Sequence, residues 1–347
     1  MNFKRIDYGI IFIVFILFTI GIFSIEDKNL IPKQTIWLFL SLVAFLLSYL
    51  LGYYRFTEIS LFLYLFILIL LFLVLSIGPV RSGAQRWLNI LGLNLQPAEF
   101  AKLAFLLNLS RFYLLHKEEI KRTKTFIKSL MIIFPYLILI FLQPDLGSMV
   151  VLIPIFITIS LIAGVEKRKL LILFLITLLF TPLFWHILKD YQKQRILVFI
   201  NPNIDPLGAG YTITQSKIAI GSGRLLGKNF FGEKIRFSFL PESHTDFIFA
   251  SISEKWGFLG AGLTIFLFYL LIIKILRMGI LGNNLLAKMV SVGVATMIFT
   301  HVFINIGMCL GILPIVGIPL PFVSYGGSNL MTNMIALGIV NSIKKEI

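Results

Sequence analysis

The chain has 347 residues, 58% hydrophobic and 14% charged, with 34 phenylalanines and a mean hydropathy of +0.94. Apolar runs near 20 residues recur along it, which no water-soluble globule needs, so the predicted fold class is an all-α polytopic membrane protein. A formal charge of +15 would suggest nucleic acid in a soluble protein, but here the basic residues gather in loops, and no nucleic-acid partner is expected. The single cysteine, Cys309, lies in an apolar run and excludes a disulfide framework or a thiolate metal site.

In chain order about ten transmembrane helices are predicted, near 8–26, 35–53, 58–78, 97–115, 129–143, 147–164, 170–188, 246–273, 285–311 and 327–343. The first opens with Lys4 and Arg5, as a secretory signal does. The GIFSIEDKN that follows lacks a small-residue cleavage pattern, so an uncleaved span is expected. One set of loops holds Arg55, then Lys117 to Lys128, Lys167 to Lys169, Lys274, Arg277, Lys288, Lys344 and Lys345, while the short loops opposite carry only Lys28, Lys33, Arg81 and Arg86. By the positive-inside rule both termini are expected in the cytoplasm. Residues 1–347 then form one membrane domain with a large extracytoplasmic loop, about 189–245, between spans seven and eight.

Gln143-Pro144-Asp145-Leu146-Gly147 separates the fifth and sixth spans and predicts a tight outer hairpin, with Asp145 capping the sixth. In the outer segment 79–102, Glu99 and Lys102 stand three apart on one helix face, so they form either a site pair or a structural ion pair hiding both charges. The loop 189–245 carries eight basic residues against four acids. An outer surface that keeps cations against the topological bias is expected to meet an anion, the alternative being a solvated or headgroup-binding loop. Within it QKQRILVF, 192–199, reads as a short interfacial helix. The glycines at 208, 210, 221, 223 and 227, around Lys217 and Arg224, are expected to let backbone approach a ligand. The last outer loop, GILPIVGIPLPFVSYGGSN at 311–329, has irregular backbone that membrane depth tolerates only inside protein or beside a watery cavity.

The stretch FSFLPESHTDFIFASISE, 237–254, brings Glu242, His244 and Asp246 to the seam between the polar loop and the eighth span. A carboxylate at the mouth of a membrane helix is costly and marks a functional candidate; the plainer reading is a helix cap by Thr245 or Asp246. On a helix from 246, Asp246, Ala250, Ser253, Glu254 and Gly257 share a stripe expected to face the bundle. The four histidines are scattered without metal-ligand spacing, and His244 suits an orienting role. One carboxylate amid cations fits a general base activating an acceptor hydroxyl, with cations or a divalent metal stabilising a pyrophosphate leaving group.

Several longer motifs occur in order: QRWL at 85–88, QPAEFAKL at 96–103, LQPDLGS at 142–148, RILVFINPNIDPLGAGYTITQSKIAIGSGRLLGK at 195–228, FSFLPESHTDFIFASISEKWGFLG at 237–260 and GIPLPFVSYGGSN at 317–329. In these the chain resembles the SEDS family (shape, elongation, division and sporulation) of bacterial peptidoglycan glycosyltransferases, and its elongation branch more than its division branch. The resemblance implies polymerisation of lipid II at the outer face of the cytoplasmic membrane, with undecaprenyl pyrophosphate leaving. It implies Asp246 as catalytic base and Arg86, Glu99, Lys102, Lys217 and His244 as substrate-binding residues. It also implies Mg²⁺ or Mn²⁺ as cofactor with ligands unassigned, no organic cofactor, and as partners a class B penicillin-binding protein and the elongation machinery. Three positions depart from the family pattern: Lys255 where an acid often follows Glu254, Asn329 for a serine after SYGGS, a change expected to matter little, and Ser243 for a larger polar residue. A lipid II flippase or a non-enzymatic scaffold are the other functions considered; a flippase would need charge through the depth of the bundle. A thiol reagent that cannot cross a bilayer should label Asp246→Cys from the extracytoplasmic side, and labelling from the cytosol alone would contradict the topology.

Overall fold

The computed structural model describes residues 6–81, 84–90, 92–232 and 242–346. Fourteen helices occur among them: α1 (Tyr8–Ser24), α2 (Leu30–Leu51), α3 (Tyr53–Glu58), α4 (Ser60–Ile77), α5 (Pro97–Leu115), α6 (Thr123–Leu142), α7 (Leu146–Ala163), α8 (Lys167–Ile187), α9 (Asp190–Ile200), α10 (Ala209–Ser222), α11 (Lys228–Phe231), α12 (Ile248–Leu281), α13 (Leu285–Cys309) and α14 (Gly327–Ser342). The ten predicted spans are α1, α2, α4 to α8 and α12 to α14, and the chain is a multi-pass membrane protein. Seven of these are long and apolar enough to cross a bilayer by themselves. Helix α1 has only 17 residues, α14 only 16, and α5 carries Glu99, Lys102 and Arg111. The last two are nearly sheathed by their neighbours, which is how polar side chains persist in a lipid-embedded bundle.

Buried side chains of α5, α7, α13 and α14 make the centre, whereas α8 buries only Leu170 and turns its remaining apolar surface outward. The start of α1 and the end of α14 lie at one end of the bundle. There Asp7 caps α1 and pairs with Lys274 at 3.1 Å, its backbone N–H donates to Asn341, and the Tyr53 N–H donates to Ser342. The opposite end carries the large loop and the two short antiparallel hairpins Val80–Arg81/Ala84–Gln85 (β1, β2) and Leu88–Ile90/Leu93–Leu95 (β3, β4), which add a little strand to the predicted all-α fold.

The predicted hairpin between spans five and six is present: α6 stops at Leu142, and Asp145 caps α7 by accepting from the Ser148 N–H and hydroxyl at 3.3 and 2.8 Å. The short interfacial helix is α9. The glycine-rich segment differs from expectation. Between Gly208 and Gly223 the chain is helical, capped by Asp205, which accepts from Gly208 and Ala209 N–H, and it buries Gly210, Ile213, Ser216 and Ala219 along one face.

Its C-terminal glycines approach protein, not ligand. Helix α12 breaks at Gly257, whose φ of 64° and ψ of −159° leave the helical region. The break deprives Phe258 and Leu259 of their helical acceptors, and the carbonyls of Arg224 and Leu225 take their N–H groups at 2.8 and 3.2 Å. A Cβ on Gly223 or Gly227 would fall on the carbonyl of Ser253 or Lys255. Beside this junction Lys228 forms a buried ion pair with Glu254. The predicted stripe is buried at Ala250, Ser253 and Glu254, the last two against the α10–α11 segment. Off that stripe, Phe247 and Ile248 are buried among packed neighbours and Phe258 is exposed. Lys228 offsets the burial of the Glu254 charge, so Lys228→Met should destabilise by up to about 3–5 kcal/mol, and Lys228→Met with Glu254→Leu should recover most of it. Thermal melting in detergent distinguishes this from a dispensable contact.

Candidate functional site

Asp246 lies in the turn that leads into α12. The cap position of that helix is Phe247, with no side-chain cap, so neither Thr245 nor Asp246 caps it as the plainer reading expected. The Thr245 hydroxyl instead donates to the Glu242 carboxylate at 2.7 Å, and the Phe247 N–H closes the turn on the Glu242 carbonyl. Three successive carbonyls are then taken by distant elements. His244 O accepts from the Tyr325 N–H at 2.8 Å, Thr245 O from the Ser324 hydroxyl at 2.6 Å, and Asp246 O from the Asn305 amide at 2.8 Å. Asn305, on α13, also donates to Ile318 O at 2.7 Å, so one amide joins the aspartate turn to the loop 311–326. That loop is irregular but tucked into protein, with Ile315, Ile318, Leu320, Phe322 and Val323 buried, as its backbone polar groups require.

With its backbone fixed, the half-buried Asp246 carboxylate faces charges from several elements. Loss of hydration, then Glu242, raise its pKa to about 7, with Asp145 adding a smaller push in the same direction; Arg195 and Arg86 pull it back. The carboxyl is thus poised to gain and lose a proton near neutrality. Arg86 donates to the carbonyls of Gln143 and Pro144 and stands 4.0 Å from Asp145, which orients its guanidinium from the α6–α7 hairpin. Arg195, on α9, lies 5.7 Å over the Tyr191 ring and reaches Ile315 O at 3.5 Å.

The other predicted site residues fall into three places. Glu99 and Lys102 are joined at 2.7 Å and buried, which is the structural ion-pair reading, but the pair is not closed on itself. The Lys102 ammonium also meets His301 at 2.9 Å, and Glu99 accepts from Asn329 at 2.7 Å, with Asn329 3.3 Å from His301. Asn329, the departure expected to matter little, is therefore part of a buried four-residue network. Lys217 is exposed on α10, its ammonium against Gly311 just past α13, while its neighbour Ser216 donates to Cys309 O at 2.8 Å. The His244 ring lies edge-on to Tyr325, centroids 6.0 Å apart. Lys255 donates to Phe23 O at 2.7 Å and ties α12 to the end of α1. Residues 233–241, including Lys234 and Arg236, lie outside the described residues.

Against known proteins, the whole of residues 3–347 matches the family described as cell cycle protein FtsW/RodA/SpoVE. The chain belongs to the FtsW/RodA/SpoVE family. Among curated members, Escherichia coli (strain K12) peptidoglycan glycosyltransferase MrdB is 40% identical over 274 residues, 77% of this chain and 73% of that protein. Treponema pallidum (strain Nichols) peptidoglycan glycosyltransferase RodA is 31% identical across 97% of both chains. A solved structure described as structural coordination of polymerization and crosslinking by a peptidoglycan synthase complex superposes with a TM-score of 0.85 at 29% identity over 98% of each chain. The SEDS resemblance thus holds along the whole length.

Sequence reasoning did not single out Asn305, His301 or Gly317, and it counted Arg195 only among loop cations. An amide and a histidine in the mostly apolar C-terminal half of α13 are the signal that was available for two of them. Asn305→Ala leaves the Ile318 carbonyl without its amide donor, at about 1–3 kcal/mol, and leaves the Asp246 carbonyl with only the weak Cys309 thiol donor at 3.7 Å, which loosens the aspartate turn. Melting temperature and turnover should both fall, and turnover retained at a lowered melting temperature would show that Asn305 only stabilises.

Proposed function

We propose that this chain is a peptidoglycan glycosyltransferase of the elongation branch, polymerising lipid II with undecaprenyl pyrophosphate as leaving group and Asp246 as general base. The observation carrying this reading is a single carboxylate with a near-neutral pKa, fixed through three carbonyls and faced by two arginines. Deprotonation of an acceptor hydroxyl needs one such base, and a departing pyrophosphate needs cations in place of an acid. Arg86 suits that second role. Lys217, Lys102 and Glu99 serve the same substrate in this reading, Lys217 from its exposed place on α10 and the buried pair by holding α5 to α13 and α14 through His301 and Asn329; His244 borders the acceptor.

By the basic-residue bias the site faces outward and both termini face the cytoplasm. Among the described residues no three histidine, cysteine or carboxylate side chains converge to hold a metal, so no step is assigned to Mg²⁺ or Mn²⁺. The transpeptidase activity that would crosslink the product belongs to a class B penicillin-binding protein, a partner that the likeness to a peptidoglycan synthase complex supports.

Purified protein given lipid II should yield glycan strands. Asp246→Asn should lower the rate by at least about a hundredfold, the scale of a lost general base, at an unchanged or raised melting temperature. Polymerisation at wild-type rate by the folded amide variant, or transbilayer movement of lipid II in liposomes without polymer, would favour the scaffold or flippase instead.

A further inference from the structure

Above Gly317 the site has a notch of atomic size. A Cβ placed on this glycine, whose φ is +71°, would lie 3.1 Å from Asp246 Oδ2 and 3.8 Å from Arg195 Nη1, and among the described residues it would meet no other non-neighbouring atom within 4 Å. The carboxylate oxygen and the guanidinium therefore face one another across a gap of at most about 7 Å with only hydrogen on the floor between them. That span fits an in-line displacement, with a nucleophilic oxygen against the base at one side and a departing oxygen against a cation at the other.

The two arginines are not equivalent in this setting. Arg86 adds positive charge for the diphosphate but spends its donors on the Gln143 and Pro144 carbonyls and beside Asp145. Arg195 has one described hydrogen bond, the 3.5 Å contact to Ile315 O, against the five donors a guanidinium carries. The Tyr191 ring centroid lies 5.7 Å from the guanidinium's central carbon, and its Nη1 is the atom that reaches the notch. Burial and the nearby Arg86 charge both disfavour its protonated form, a tension that an incoming anion relieves.

We propose that Arg195 is a substrate-binding residue that receives the departing diphosphate of a lipid-linked sugar across the Gly317 notch from Asp246. The inference rests on the glycosyltransferase reading. As the acceptor hydroxyl oxygen bonds to the donor's anomeric carbon, its proton passes to Asp246. The bond from that carbon to the diphosphate oxygen breaks, and its electron pair stays on the diphosphate, held by Arg195. A planar fork matches a phosphate's oxygens two at a time, which a lysine cannot reproduce.

The test uses inorganic pyrophosphate as probe on the purified full-length protein, with binding measured calorimetrically and lipid II polymerisation in parallel. Wild type should bind pyrophosphate more tightly than inorganic phosphate. Arg195→Gln should weaken pyrophosphate at least tenfold, and Arg195→Lys should fall between. Asp246→Asn should bind it as tightly as wild type or more so, because a repelling charge has gone. Unchanged pyrophosphate affinity in Arg195→Lys, or in a folded Arg195→Gln, would overturn the assignment, as would a wild type that binds no pyrophosphate. Wild-type polymerisation by Asp246→Asn would remove the base while leaving the Arg195 affinities to stand or fall separately.

Discussion

The arrangement depends on the pinning of one short turn. A carboxylate can act as a base only if it meets its substrate at a fixed distance, and a side chain at the end of a polar loop has no intrinsic reason to stay put. Here the carbonyls of residues 244, 245 and 246 are each claimed by a donor from α13 or from the loop between α13 and α14. Three bonds to a rigid, largely buried framework remove the turn's freedom before substrate arrives, so binding need not supply that ordering. The irregular 311–326 segment, which would be a liability if lipid-exposed, is what provides two of those donors.

The same framework sets the electrostatics. Stripping water from Asp246 raises its proton affinity, and Glu242 adds to this, while Arg195 and Arg86 oppose. The balance leaves a carboxyl that is a stronger base than an exposed aspartate yet still ionises near neutral pH. In stability terms, a pKa raised above the unfolded value means the fold favours the protonated form. The cost of holding the charged form grows as pH rises from about 4 to about 7, so the fold gives up some stability to keep a usable base. The neighbouring unit is built for rigidity: α10–α11 lends two carbonyls to the broken α12 and closes the joint with a buried ion pair.

What the sequence disclosed and what it hid divide along physical lines. Hydropathy and length recover all ten long helices of the bundle, including α5 and α14, because burial by neighbours leaves their residues mostly apolar. The Pro144–Asp145 turn and the α9 helix were legible from local chemistry, as was Asp246 from a charge at a membrane seam. The segment 208–227 misled because its glycines suggest open backbone, yet Asp205 caps a helix there, Gly210 packs on the Pro202 and Asp205 carbonyls, and Gly223 and Gly227 pack closely on α12. The network of Glu99, Lys102, His301 and Asn329 joins residues about two hundred positions apart, a proximity no local pattern encodes. Arg195 and Gly317 were hidden for the same reason, since their meaning lies in a gap that exists only once α9 and the last loop converge on the aspartate turn.

The central claim is that a single carboxyl, tuned to near neutrality, accepts the acceptor's proton. The pH dependence of lipid II polymerisation by the purified chain, measured at saturating and at limiting substrate, addresses it most directly. Because the ionised form is the base, the rate should climb through about pH 7 and level off above it. A rate that stayed flat from about pH 5 to about pH 8, or that fell as the carboxyl ionised, would contradict the account.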